Sequence, residues 1–243
     1  MINFITLRIL DFFDFFYKKK ILNFLKSLKL QNLDVVFDVG AHEGEMQFFF
    51  LKNFNVKKII SFEASEINFS KLKKNVELNK KRFFHSNILI ENIALGKESE
   101  KKIFKQFIET SSSTFSNINT NSKYFKKKFQ LLNKKRDNSF FEKKQIQLTP
   151  LNEYLENKKI NKIDILKIDT EGYEFEILKG LKNQIKIIDI IFFEHHYDDM
   201  INKSYTFSDI HNLLKKNNFE KIFKSKMPFR KTFEYIYRNK VKI

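Results

Sequence analysis

The chain has 243 residues, with 46 Lys+Arg against 29 Asp+Glu and a formal net charge of +17. That length suits one α/β domain with some decoration or two small domains. An apolar content of 42% excludes wholesale disorder, and the lack of Cys excludes disulfides, thiolate metal sites and a cysteine nucleophile. No apolar run approaches the roughly 20 residues that span a bilayer. Only five of the cations are Arg. Lys, Phe, Ile and Asn make up about half the chain, and all four have AT-rich codons, so codon bias accounts for much of the charge. Specific phosphate and base readers favour the bidentate fork of Arg, which weighs against a nucleic-acid partner.

In residues 1–30, apolar side chains recur at Phe4, Leu7, Leu10, Phe13, Phe16, Leu22 and Leu25, which predicts one or two helices packed on the domain. Asp11 and Asp14 fall in the most apolar part, against the pattern of a signal peptide. The functional alternative is an interfacial helix, with Phe in the headgroup layer and Lys18, Lys19 and Lys20 against anionic lipid. Residues 1–32 are therefore read as a helical extension and 33–243 as the main domain.

From Asp34 the pattern changes. VVFDVG (35–40) is a β-branched apolar run ending in Asp and Gly, as expected for a buried parallel strand. A helix over 46–54, a strand over 57–64, a helix over 66–79 and a strand with its exit loop over 87–96 follow. Residues 97–145 are the least regular, with an extra strand at 101–108 and a turn-rich loop at 110–122, and are read as a variable substrate region. A strand and helix over 146–157, a strand over 162–169, a helix over 173–181 and an apolar strand over 186–196 come next. A helix over 205–219, with Ser208 as its N-cap, and a late hairpin close the chain. The order predicts an α/β fold with a doubly wound, mostly parallel sheet.

In such sheets ligands bind beyond the carboxyl ends of the strands. This chain places Asp38, Gly40 and Gly44 at the first end, Glu63 at the second, Asn92 and Ala94 near the third, Asp169 and Glu171 at the next, and Glu194, His195 and His196 at the last. The first loop, GAHEG, lacks the full dinucleotide glycine fingerprint. Glu63 follows Gly40 at a distance that suits an acid accepting ribose hydroxyls. A nucleoside without a pyrophosphate, such as S-adenosylmethionine, fits this pattern, and a tight turn beside a surface Glu is the alternative. His titrates in the range useful for a general base. His195 is the preferred base, with His196, Asp169 and Glu171 as the other candidates. Strand alternation points the two His to opposite sides. Asp169, Glu171, Glu194 and His195 could also bind a hard divalent ion, but no metal motif supports this.

The segments VVFDVGAHEGEM, SFEASEINFSKLKKNVELN, NIALG, ILKIDTEGYEFEILKG and IIFFEHH resemble the FkbM-type methyltransferases over roughly residues 33–225. The resemblance implies the seven-stranded class I fold, S-adenosylmethionine as cofactor, and O-methylation of a hydroxyl on a glycan or secondary metabolite. By position, Asp38, Gly40, Ala41 and Gly44, in the loop that includes His42, would surround the cofactor's amino-acid end. Glu63 would hold the ribose; Ala64, Ser65, Asn92 and Ala94 would border the adenine; Asp169 would stand between cofactor and substrate. The expected acceptor is a small molecule, sugar or lipid-linked glycan in the cytoplasm, with membrane contact through residues 1–30 left open. An RNA methyltransferase and a non-catalytic membrane-surface module remain the competing readings.

Overall fold

A computed structural model describes residues 2–107, 111–132 and 140–242, with the side chains of residues 2–12 and 128–132 left aside. In chain order its elements are α1 (Ile2–Ser27), β1 (Asn32–Val39), α2 (Glu45–Asn53), β2 (Asn55–Phe62), α3 (Glu66–Asn79), β3 (Asn87–Glu91), β4 (Ala94–Gly96), β5 (Lys101–Phe107), β6 (Asn117–Ile118), α4 (Lys123–Leu132), β7 (Phe141–Pro150), α5 (Leu151–Asn157), β8 (Ile163–Ile168), α6 (Glu174–Gly180), β9 (Ile188–His196), β10 (Ile201–Asn202), α7 (Phe207–Lys216), β11 (Phe219–Lys226) and β12 (Thr232–Asn239).

Seven strands form one sheet in the order β11-β12-β9-β8-β1-β2-β3. Only β12 runs against the others, pairing antiparallel with both β9 and β11. The chain works outward from β1 to β3, then returns to β8 on the other side of β1. The switch in strand order lies between β1 and β8. This is the doubly wound sheet that the element order predicts, with the seven strands that the family resemblance implies.

The strands are apolar because both faces of the sheet are covered. Side chains alternate between two cores. Val36, Ile59, Ile165, Ile190, Phe192 and Ile236 face one side with Tyr17, Ile21 and Leu25 of α1 and Phe50 and Leu51 of α2. Phe37, Ile60, Leu166, Ile191, Phe193 and Tyr235 face the other side with residues of α5, α6 and α7. The N-terminal segment is thus a single helix whose inner stripe belongs to the core.

Three local expectations change. The exit loop after β3 becomes β4, which joins β7 and β5 in a separate three-stranded sheet. The irregular 97–145 region is more ordered than its polarity suggests: β5 and β7 pair along their length, and β6 pairs with β10. Residues 108–110 and 133–139 of this region lie outside the described residues. The N-cap of α7 is Thr206 rather than Ser208, because Thr206 and Asp209 form a reciprocal capping box.

Leu25 is fully buried between α1 and the sheet. Leu25→Ala should destabilise the protein by about 2–5 kcal/mol, the usual cost of emptying a buried Leu site. Urea denaturation checks this; an unchanged midpoint would mean that α1 is not part of the cooperative fold.

Candidate active site

The first loop is built for close approach. Gly40 has φ +80, and a Cβ there would lie 1.8 Å from the carbonyl oxygen of Asp169. Only Gly lets the β1 and β8 ends meet this closely. The Asp169 amide donates to the Val39 carbonyl (2.9 Å), and the amides of Gly40 and Ala41 both donate to the Phe62 carbonyl (2.9 and 3.0 Å). His42, with φ 51, turns its amide onto Glu63.

Glu63 is fixed from both sides. Its Oε2 accepts from the His42 amide (2.7 Å) and its Oε1 from the Ser65 amide (2.8 Å). The Asn92 side chain donates to the Glu63 carbonyl (2.7 Å). Burial raises the Glu63 carboxyl above its ordinary range, against these amide bonds. Each carboxylate oxygen keeps a further lone pair for a ligand hydroxyl.

The turn after β8 is held by Glu174, the first residue of α6. Its Oε1 accepts from the amides of Thr170 (3.1 Å) and Gly172 (3.0 Å) and from the Thr170 hydroxyl (3.2 Å). Its Oε2 accepts from the Tyr205 hydroxyl (2.6 Å). The serine-rich loop adds two clamps: the Thr114 hydroxyl donates to the Glu171 carbonyl and the Ser116 hydroxyl to the Gly172 carbonyl, both at 2.7 Å. The loop over 111–116 thereby fixes the acidic turn.

These loops surround a cleft of about 310 Å³ at the carboxyl ends of the strands. One half is lined by Asp38, Gly40, Ala41, His42, Glu63 and Ala64, with an apolar wall of Ile93, Ala94, Leu95, Phe104 and Ile177. Asp169, Thr170 and Glu171 lie on its lining. The other half is lined by Glu194, Glu234, Met227 and Arg230, and by Asp14, Tyr17 and Lys18 of α1. Gly44, Ser65 and Asn92 do not reach the cleft. They shape its walls: Gly44 caps α2 with φ +100, and Ser65 caps α3 through its hydroxyl.

Beneath the cleft lies Lys167, fully buried. Its ammonium is 3.4 Å from Asp169 Oδ2, 3.5 Å from Glu234 Oε1 and 4.4 Å from the centre of the Phe192 ring. Burial alone would lower its pKa. The charges of Asp169, Glu234, Glu194 and Asp38 outweigh that and keep it protonated. Burial pushes the Asp38 carboxyl up to about 7, and that of Glu234 also up to about 7, even with Lys167 opposing both. Oδ2 of Asp38 and Oε2 of Glu234 accept no hydrogen bond. The Tyr17 hydroxyl donates to the Ser225 carbonyl (3.2 Å) and lies beside Glu234.

The two histidines occupy different places, and neither lines the cleft. His195 sits among Tyr197, Tyr205 and Phe207, with its Nε2 3.3 Å from Lys203 Nζ. Burial, then the charges of Lys203 and His196, push it down to about 3. The preferred candidate base therefore faces away from the site, on the opposite strand face to Glu194. His196 shares the Glu194 face. Its Nε2 is 3.2 Å from Glu194 and 3.3 Å from Glu171, and its Nδ1 is 3.4 Å from Asp198. Burial would lower its pKa, but Glu171, Asp198 and Glu194 raise it well above the ordinary value. His196 is thus a clamp between two strand-end acids rather than an open base. No group of three or more His, Asp or Glu is arranged to hold a metal among the described residues. The separation of His195 from Glu194 removes the metal set considered from sequence.

Sequence reasoning missed Glu234, Tyr17, Asp14 and Arg230. Two signals were available: Asp14 interrupts an apolar helix, and Glu234 interrupts the aromatic run TFEYIY.

The strand order, with a cleft at its switch point, is that of the Rossmann-like class I methyltransferase fold, and a solved example of that fold holds S-adenosylmethionine. The donor set here fits that cofactor: an orphaned buried Asp38 oxygen, the close-approach Gly40, a fixed ribose-type acid at Glu63 and an apolar slot beside it. Residues 38–221 match the methyltransferase FkbM domain model, and the chain belongs to this family. A solved FkbM methyltransferase from Methylobacillus flagellatus KT is similar at TM-score 0.55 and 15% identity, over 84% of this chain and 43% of that one. The chain thus spans less than half the length of that relative. Magnesium protoporphyrin IX methyltransferase (ChlM) from Synechocystis PCC 6803, solved with bound SAM, is similar at TM-score 0.51 and 8% identity, over 92% of this chain and 78% of that one. No curated protein matches by sequence.

The raised carboxyls set a pH dependence. Glu234 is raised from 4.5 and Asp38 from 3.8, each to about 7. Their protonated forms favour folding fully below the lower values, and that contribution is lost as pH rises through about 7. Glu234→Gln should flatten the fall in Tm between pH 5 and pH 8 in cofactor-free protein. A slope identical to wild type would contradict the assignment.

Proposed function

We propose that this chain is an S-adenosylmethionine-dependent O-methyltransferase acting on a hydroxyl of a glycan or secondary-metabolite acceptor. One observation carries the reading: a single cleft runs without a break from the nucleoside-type half at β1 and β2, past Asp169, into an acidic half at β9 and β12 roofed by α1. Two ligands can meet end to end across Asp169.

S-adenosylmethionine supplies a methyl group on an activated sulfonium. In this reading Asp38 and the Gly40–Gly44 loop hold its amino-acid end, and Glu63 holds the ribose. Ala64, Ile93 and Ala94 form the adenine slot. Asn92 and Ser65 act behind that wall by fixing Glu63. The chain then has to position the acceptor oxygen and take its proton.

Glu234 is the group best placed to accept that proton. It lines the acceptor half, keeps one oxygen without a hydrogen bond, and has its carboxyl poised near neutrality by burial. Glu194 is less available because His196 already binds it. Asp169 and Glu171 border the junction, with Asp169 tied to Lys167 and Glu171 to His196. Tyr17 and Arg230 contribute polar contacts on the α1 side.

The test is methyl transfer from labelled S-adenosylmethionine to a panel of hydroxylated sugars and lipid-linked sugars. Glu234→Gln should lower kcat about 100-fold or more, the usual worth of a general base, with cofactor affinity nearly unchanged. Wild-type rates should rise with pH through about 7. A fully active Glu234→Gln variant would remove Glu234 as the base.

A further inference from the structure

Among the described residues of α1, Phe15 and Phe16 belong to neither the cleft lining nor the core. Phe15 is 62% exposed and Phe16 51%, with their rings edge to face at 5.5 Å. Phe229, 71% exposed, stands at the tip of the β11–β12 turn. It is joined to α1 by the Phe13–Phe229 ring contact (4.9 Å, near perpendicular) and by the Arg230–Asp14 pair at 3.5 Å. Three large aromatic side chains thus lie on two elements that are bound to each other.

Lysines dominate the exposed charge beside these aromatics. Lys18, Lys19 and Lys20 on α1 are exposed, as are Lys224, Lys226 and Lys231 around the turn. Between Phe15 and Leu33, and between Ile222 and Phe233, there is no Asp or Glu. Among the described residues, Asp14 is paired with Arg230, and Glu45 stands near Lys18 on the cleft lining. Lys19 and Lys20 follow Phe15 and Phe16 by four residues, so each aromatic has a cation one helical turn away on the same face.

We propose that the outer face of α1 and the tip of the β11–β12 turn dock the protein on an anionic lipid surface, with the mouth of the cleft at that surface. The occupant follows from the chemistry. A second copy meeting this face symmetrically would set Lys against Lys, and protein interfaces are depleted in Lys. Aromatic side chains entering the headgroup layer, with Lys at the phosphates, is the pattern of an interfacial helix. Among the described residues no helix is long and apolar enough to cross a membrane, so α1 lies on the surface. Asp14, Tyr17 and Lys18 of the same helix, with Met227 and Arg230 of the same turn, line the acceptor half of the cleft. Docking would therefore present that half to hydroxyls carried on lipid. This last step rests on the methyl-transfer reading; the docking itself does not.

The test is co-sedimentation of the full chain with vesicles of neutral phosphatidylcholine and of phosphatidylcholine with 30% phosphatidylglycerol, at low and physiological salt. Wild type should bind the anionic vesicles at least tenfold more tightly than the neutral ones. The triple variant Phe15→Ser, Phe16→Ser, Phe229→Ser keeps every charge and should lose at least tenfold of that binding. Circular dichroism and calorimetry with S-adenosylhomocysteine on the variant separate lost docking from lost fold or lost cofactor site. Wild type failing to bind anionic vesicles would overturn the proposal. So would a folded triple variant that binds as well as wild type, or a dimer in solution that the aromatic substitutions abolish.

Discussion

One buried cation governs this site. Lys167 sits at the centre of the sheet with no exposure, and an unpaired charge there would cost several kcal/mol. It is tolerated because Asp38, Asp169, Glu194 and Glu234 converge on it from four adjacent strands. The dependence is mutual: four carboxylates at one sheet edge would repel each other and stay protonated without Lys167. The shared cation sets which acids remain charged and which, like Asp38 and Glu234, are held near neutrality. A purely apolar strand end could support the same fold but not this graded set of acids.

Around that centre, the loops are fixed by groups that also explain the sequence pattern. Glu174 binds three donors of the turn that carries Asp169 and Glu171. Thr114 and Ser116 clamp the same turn from the loop after β5. Thr114 and Ser116 are therefore polar for a structural reason, since their hydroxyls satisfy carbonyls of that turn. By these two hydrogen bonds the loop over 111–116 is joined to the turn of Asp169 and Glu171 and not to the Gly40 and Glu63 side.

The central strands were legible because both of their faces are buried. Continuous apolar runs ending in Asp38, Glu63, Asp169 and Glu194 specify both the element and the edge where chemistry gathers. The half of the cleft at β1 and β2 follows from local spacing, which brings Asp38, Gly40, Ala41, His42, Glu63 and Ala64 to the lining and leaves Gly44, Ser65 and Asn92 behind it. The half at β9 and β12 was not legible, because it depends on pairings distant in sequence. Glu234 enters only because β12 runs antiparallel to β9 and sets Glu234 opposite Glu194. Tyr17 and Asp14 enter only because α1 folds over that end of the sheet. The alternation of His195 and His196 was readable, but not which of them faces the site. That is decided by which face of β9 carries α7, and α7 covers the His195 side.

The central claim is that the cleft beside β1 and β2 holds S-adenosylmethionine through Glu63. Isothermal titration of S-adenosylhomocysteine into wild type and Glu63→Ala tests it most directly. The account predicts micromolar binding by wild type and at least tenfold weaker binding by the variant, because the buried ribose contact loses its acceptor. Absence of binding by wild type, or equal affinity in the two proteins, would contradict it.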